Sequence, residues 1–180
     1  MKKIIAMLLA LMLVASLCAC GKGDEGKSSD KTAKENKPGS ANTSNVSDTP
    51  IGHAMKVDGV TFGIGMDAEK VVAQLGAIEP VITESCGDMG GNDYEYVYDD
   101  FVIYANDGGG AIRIYCMEIT TDLANTVEGL TIGDTTETVT STCGAPTSQS
   151  DANIIYEQDG MQLIFFMEND EVTAIQYLEK

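Results

Sequence analysis

Tryptophan is absent from these 180 residues, histidine occurs once and proline four times. Beyond residue 50 only Lys56, Lys70, Arg113 and Lys180 are basic, against 23 acidic residues, a net charge of −19. Phosphate recognition needs clustered lysine or arginine, so a nucleic-acid partner is excluded and direct docking on anionic lipid or wall polymer is disfavoured. The plain consequence of such an excess is a solubilising, self-repelling surface. The chain also lacks a P-loop, a dinucleotide fingerprint, an EF-hand loop and a His-x-x-x-His helix. Asp107-Gly108-Gly109-Gly110 is a turn rather than a phosphate cradle, because no helix follows it. The six methionines after residue 20 lack the clustering of a copper site and read as core filler. No cofactor is implied.

What is present begins at the N-terminus. Ile4 to Leu17 is an apolar run behind Lys2 and Lys3, of signal-peptide length and short of the about 20 residues a transmembrane helix needs. Leu17-Cys18-Ala19-Cys20 closes it as a lipobox. The reading is a lipoprotein signal over residues 1–19, with Cys20 acylated and the mature chain held outside the cytoplasmic membrane. Outer-membrane sorting follows only in a host that has one. Each buried acyl methylene contributes about 0.8 kcal/mol, so two or three chains anchor stably.

Residues 21–50 hold no aromatic residue and one aliphatic side chain larger than alanine, Val46. Such a tract cannot offset ordering entropy by burial and is expected to be a flexible linker. Residues 51–180 then form one globular unit. Three cysteines remain there. Cys143 reads as a buried apolar residue on a helix, which leaves Cys86 and Cys116 as the candidate disulfide pair or as free thiols.

The globular part repeats itself, with copies over about 57–122 and 127–178. Gly59-Val-Thr-Phe-Gly63 matches Gly129-Leu-Thr-Ile-Gly133, and Asp67 to Gly76 matches Thr135 to Gly144. Asp67 is an expected N-cap, and Asp134 with Glu137 an expected capping box. Val71, Val72 and Leu75, like Val139 and Cys143, share a helical face, and Gly76 and Gly144 suit the position past a helix end. The fold class is therefore α+β, two tandem repeats, each a short helix on an antiparallel β-meander.

Alternation assigns the faces of those meanders. With a turn at Asp99-Asp100, Tyr94, Tyr96, Tyr98, Phe101, Ile103 and Ala105 share the helix-packed side. With Asp159-Gly160 as the second hairpin, Ile154, Tyr156, Met161, Leu163 and Phe165 do the same. The opposite side would present Val97, Val102, Tyr104, Ile155, Ile164 and Phe166, joined by Ile112 and Ile114 if plain alternation holds. A face meant for water alternates more cleanly to polar residues. Two readings follow. Either the sheets or a flanking segment cover this side, or it is a partner surface.

Gly63, Val71, Leu75, Gly76 and Pro80, then Gly133, Val139, Gly144 and Pro146, carry a resemblance to the beta-lactamase inhibitor protein fold. The same pattern resembles the small outer-membrane-assembly lipoproteins of the BamE type, which use a single such unit. Ser85-Cys86-Gly87 through Tyr96, Tyr98, Phe101 and Ile103 to Glu128-Gly129 also resembles tandem lipoproteins of clostridial type. The resemblance implies a domain whose sheet docks another protein. The inhibitor's contact residues have no matched positions here.

No enzyme is expected. His53 lies at the linker edge and reads as solvated, although Cys86 or Ser85 would be the nucleophile it could serve. The functional expectation is a membrane-anchored, non-catalytic protein-interaction module acting through its sheet face. The alternative is a weak divalent-cation or cationic-ligand binder, for which calcium would need six to eight converging oxygens.

Overall fold

A computed structural model describes residues 46–108 and 110–180. Cys20 and nearly all of the 21–50 linker lie outside the described residues. The domain is α+β, with eleven strands and two helices among the described residues. The strands are β1 (Ala54–Val57), β2 (Val60–Gly63), β3 (Val81–Glu84), β4 (Asn92–Val97), β5 (Phe101–Asn106), β6 (Arg113–Ile119), β7 (Asn125–Thr126), β8 (Ser148–Gln149), β9 (Asn153–Gln158), β10 (Met161–Glu168) and β11 (Glu171–Glu179). The helices are α1 (Ala68–Leu75) and α2 (Thr136–Cys143).

Eight strands make one antiparallel sheet in the order β3-β4-β5-β6-β11-β10-β9-β8. Its two four-strand runs meet where β6 pairs with β11, through Ile119 opposite Ile175, Met117 opposite Tyr177 and Cys116 opposite Leu178. A smaller sheet, β2-β1-β7, packs with the helices. Met55, Phe62, Val71, Val139, Ile103 and Phe165 belong to one hydrophobic cluster, so both helices and the small sheet bury against the same side of the large sheet. Phe62 meets Phe101 across that layer at 5.8 Å between ring centroids, and the Tyr177 hydroxyl donates to the Ala54 carbonyl at 3.1 Å.

Local chemistry places the turns. Asp58-Gly59, Asp159-Gly160 and Asn169-Asp170 close two-residue hairpins with both central residues at positive φ, the geometry that suits the strands' right-handed twist. Tyr98 pairs with Phe101 around Asp99-Asp100 as expected, its N–H donating to the Phe101 carbonyl at 3.0 Å. Both helices have eight residues. Asp67 caps α1 by accepting from the Lys70 N–H, and Gly76 and Gly144 end the helices at positive φ.

Several expectations need correction. The cap of α2 is Thr135, which accepts from the Thr138 N–H. Asp134 is committed instead to a turn, where its carboxylate accepts from the Thr131 N–H at 2.8 Å. Residues 129–133 form no strand, whereas their counterpart β2 does. Leu130 reaches the core from a turn, its carbonyl accepting from Thr126. Ile112 and Ile114 pack with the core side, because a bulge at Tyr115 breaks the alternation: Tyr104 pairs with Cys116 but Ala105 with Ile114. An extra residue on one strand flips every side chain beyond it. Finally, the folded unit extends before residue 51, since the Ser47 N–H donates to the Gly65 carbonyl and Lys70 pairs with Asp48 at 3.2 Å.

The β6–β11 seam sets two stability tests. Ile119→Ala, which faces both Phe101 and Ile175, is expected to cost about 2–5 kcal/mol in urea unfolding. Tyr177→Phe should cost about 0.5–1.5 kcal/mol, because it removes one buried hydrogen bond while the Ala54 carbonyl keeps the Val127 N–H as a donor.

Candidate functional site: the open face of the large sheet

The side of the sheet turned away from the helices is built by two neighbouring cross-strand rows. One runs Val97, Val102, Glu118, Gln176, Ile164, Ile155. The other runs Glu95, Tyr104, Cys116, Leu178, Gln162, Glu157. At about 4.8 Å per strand, either row spans roughly 24 Å from β4 to β9. Phe166 is exposed next along β10, opposite Ala174 and Asn153. All six residues expected on this side (Val97, Val102, Tyr104, Ile155, Ile164 and Phe166) therefore share it.

Val102, Cys116 and Ile164 are only 8%, 6% and 9% exposed, yet none belongs to the core cluster. Their neighbours on the face cover them. No described helix or strand is stacked over these rows: Ala68, Val71 and Val72 of α1, Val139 of α2, Met55 of β1 and Phe62 of β2 join the cluster on the opposite side. The face is thus apolar in patches and edged by carboxylates.

Burial sets its electrostatics. It pushes the Tyr104 hydroxyl up to about 12, with the Glu118 and Glu95 carboxylates adding to the effect. The Cys116 thiol is likewise pushed up to about 12, by burial first and Glu118 second, so at neutral pH it is a protonated thiol and a poor nucleophile. Burial also raises the Glu118 carboxyl above its ordinary value.

Reasoning from sequence missed Cys116, Glu118, Gln176 and Leu178 at the centre of this face. Alternation with buried Tyr177 could have placed Leu178, and alternation with buried Met117 and Ile119 could have placed Cys116 and Glu118, since the bulge lies beyond them. The pairing of Cys86 with Cys116 is not made. Cys86 is exposed beyond β3, and Cys116 is buried on β6, three strand steps away. Three steps are roughly 14 Å, twice the about 7 Å between Cα atoms that a disulfide tolerates. His53 is not solvated: its side chain is mostly buried, edge-on to Tyr156, with Nδ1 3.8 Å from the Glu128 carboxylate. Tyr156 is on β9, six strand steps from β3, so roughly 29 Å separates this histidine from Ser85 and Cys86. Among the described residues no three His, Cys, Asp or Glu side chains converge as metal ligands, and no helix is long and apolar enough to cross a membrane.

No protein-family model, no curated protein and no solved structure matches this chain.

Two substitutions check the face. Phe166→Ala is expected to cost about 1–2 kcal/mol, well below the about 3–5 kcal/mol of a core phenylalanine, because the ring is only partly covered. Glu118→Gln should stabilise the domain at neutral pH. A raised carboxyl binds its proton more tightly folded than unfolded, so the wild type loses stability as pH rises from the unfolded carboxylate value through the folded one. The gain from Glu118→Gln, read as Tm, should therefore shrink towards pH 3.

Proposed function

We propose that this chain is a membrane-anchored extracytoplasmic lipoprotein that binds another protein through the open face of its large sheet, without catalysis. The observation that carries this reading is the apolar surface left accessible there, exposed Val97 and Phe166 with half-buried Tyr104, Ile155 and Leu178, on a side of the sheet that no described element covers. Apolar area of this kind outside a protein's own core is the mark of a docking surface. The anchor is the acylated Cys20 of the lipobox, with the residues between it and Ser47, where the domain begins, as the leash.

We also infer that the scaffold arose by duplication. The strand order supports it, since β3 to β6 and β8 to β11 run inward from opposite edges to one shared seam. Equivalent backbone bonds support it more closely. Gly65 donates to Ile114 and Ile114 to Met66 at 2.8 and 2.9 Å; Gly133 donates to Val172 and Val172 to Asp134, both at 2.8 Å. Tyr98 donates its hydroxyl to the Gly76 carbonyl, and Tyr156 donates to that of Gly144. Each half carries a bulge on its last strand pair, after Tyr104 and after Phe166. On these pairs Gly65, rather than Gly63, is the counterpart of Gly133.

Photo-crosslinking amino acids at positions 104 and 166 in intact cells should capture one discrete protein, and the same group at Gln74 on the exposed side of α1 should not. Equal capture from position 74 would remove the face from consideration. Cys20→Ala should abolish incorporation of labelled palmitate, and retained label would remove the anchor.

A further inference from the structure

The outer edge of the large sheet at β3 carries a second site. We propose that β3 is an acceptor edge for an extended cationic peptide segment, which adds to the sheet as a ninth strand. The inference rests on the protein-interaction reading above but uses the edge rather than the face.

β3 pairs only with β4, so its outward N–H and C=O groups have no strand beside them among the described residues. Val81 and Ile82 are 57% and 56% exposed, unusual for β-branched residues in a strand. An open edge of that composition is a template for another strand. Two depressions flank it, one on each side of the sheet. On the open side a hollow of about 200 Å³ is lined by Val81, Thr83, Asp93, Glu95 and Tyr104. On the helix side a groove of about 320 Å³ is lined by Val72, Ile78, Ile82 and Tyr96, with Glu69 and Glu79.

An added strand alternates its side chains between the two sides. Those leaning to the open side meet the Asp93 and Glu95 carboxylates and the Tyr104 ring, a setting for lysine or arginine. Those leaning to the helix side meet an aliphatic groove, a setting for valine, isoleucine or phenylalanine. Neither depression has a lysine or arginine in its lining. The same charge argues against a second copy: two β3 edges together would bring Glu79, Glu84 and Glu95 of both domains close with no counter-charge.

The test titrates the full chain, in detergent solution, with a fluorescent, end-capped octapeptide of alternating lysine and valine, read by anisotropy in 50 mM salt. Saturable binding is expected. It should weaken at least tenfold for the same peptide with alternate amides N-methylated, and at least tenfold for the double variant Glu79→Lys/Glu95→Lys. Phe166→Ala should leave it unchanged. Equal binding of the N-methylated peptide would overturn strand addition in favour of plain charge attraction. Equal binding of an alternating glutamate–valine peptide would overturn the charge assignment. Absence of binding to 1 mM, or a β3-dependent dimer that excludes the peptide, would overturn the proposal outright. Crosslinking from position 166 that persists in any of those cases leaves the face reading intact, and its loss with peptide binding retained removes the face alone.

Discussion

The antiparallel pairing of β6 with β11 is the constraint on which the rest of this molecule depends. It joins the sheet's two four-strand runs, and it sets Ile119, Met117, Ile175 and Tyr177 at the centre of the core. Helices of eight residues are marginal alone. Here α1 and α2 find a common floor wide enough to bury Val71 and Val139 beside one another's strands. The small sheet then closes on that floor, with Tyr177 reaching up to the Ala54 carbonyl.

A continuous sheet with all its covering layers on one side leaves the other side to fend for itself. On that side the strands meet with Glu118 and Gln176 in one row and Cys116 and Leu178 in the next. Side chains there shield one another enough to raise the titration of Tyr104, Cys116 and Glu118, although nothing described lies above them. The proposed docking role follows from this imbalance, and the cost of holding Glu118 poorly hydrated is one a cationic partner would relieve.

Where local chemistry decides, the residues were legible. Asp159-Gly160 and Asp99-Asp100 turn where their composition says, and Asp67, Gly76 and Gly144 bound their helices. The six face residues follow from period-two alternation alone. Reading failed where one residue broke a count or a contact came from afar. Tyr115 is a bulge, so Ile114 goes inward. Asp134 is spent on a turn, so Thr135 caps α2. His53 is held by Tyr156 and Glu128, both more than seventy positions away in the chain. Asp58-Gly59 was a hairpin signal in plain view, yet β1 and β2 gained meaning only from the core they cover.

By itself the sequence determined the α+β class, the acidic surface, the hairpin turns, the helix ends and which side of each meander is greasy, because these depend on neighbours within a few residues. Only the tertiary structure decided that the meanders fuse into a single sheet, that Cys86 and Cys116 stay apart, and that β3 is left as an open edge. Strand order is fixed by hydrogen bonds between segments some sixty residues apart, as Cys116 and Leu178 are. Such pairing is chosen by how the whole apolar surface can be buried at once, which no local pattern encodes.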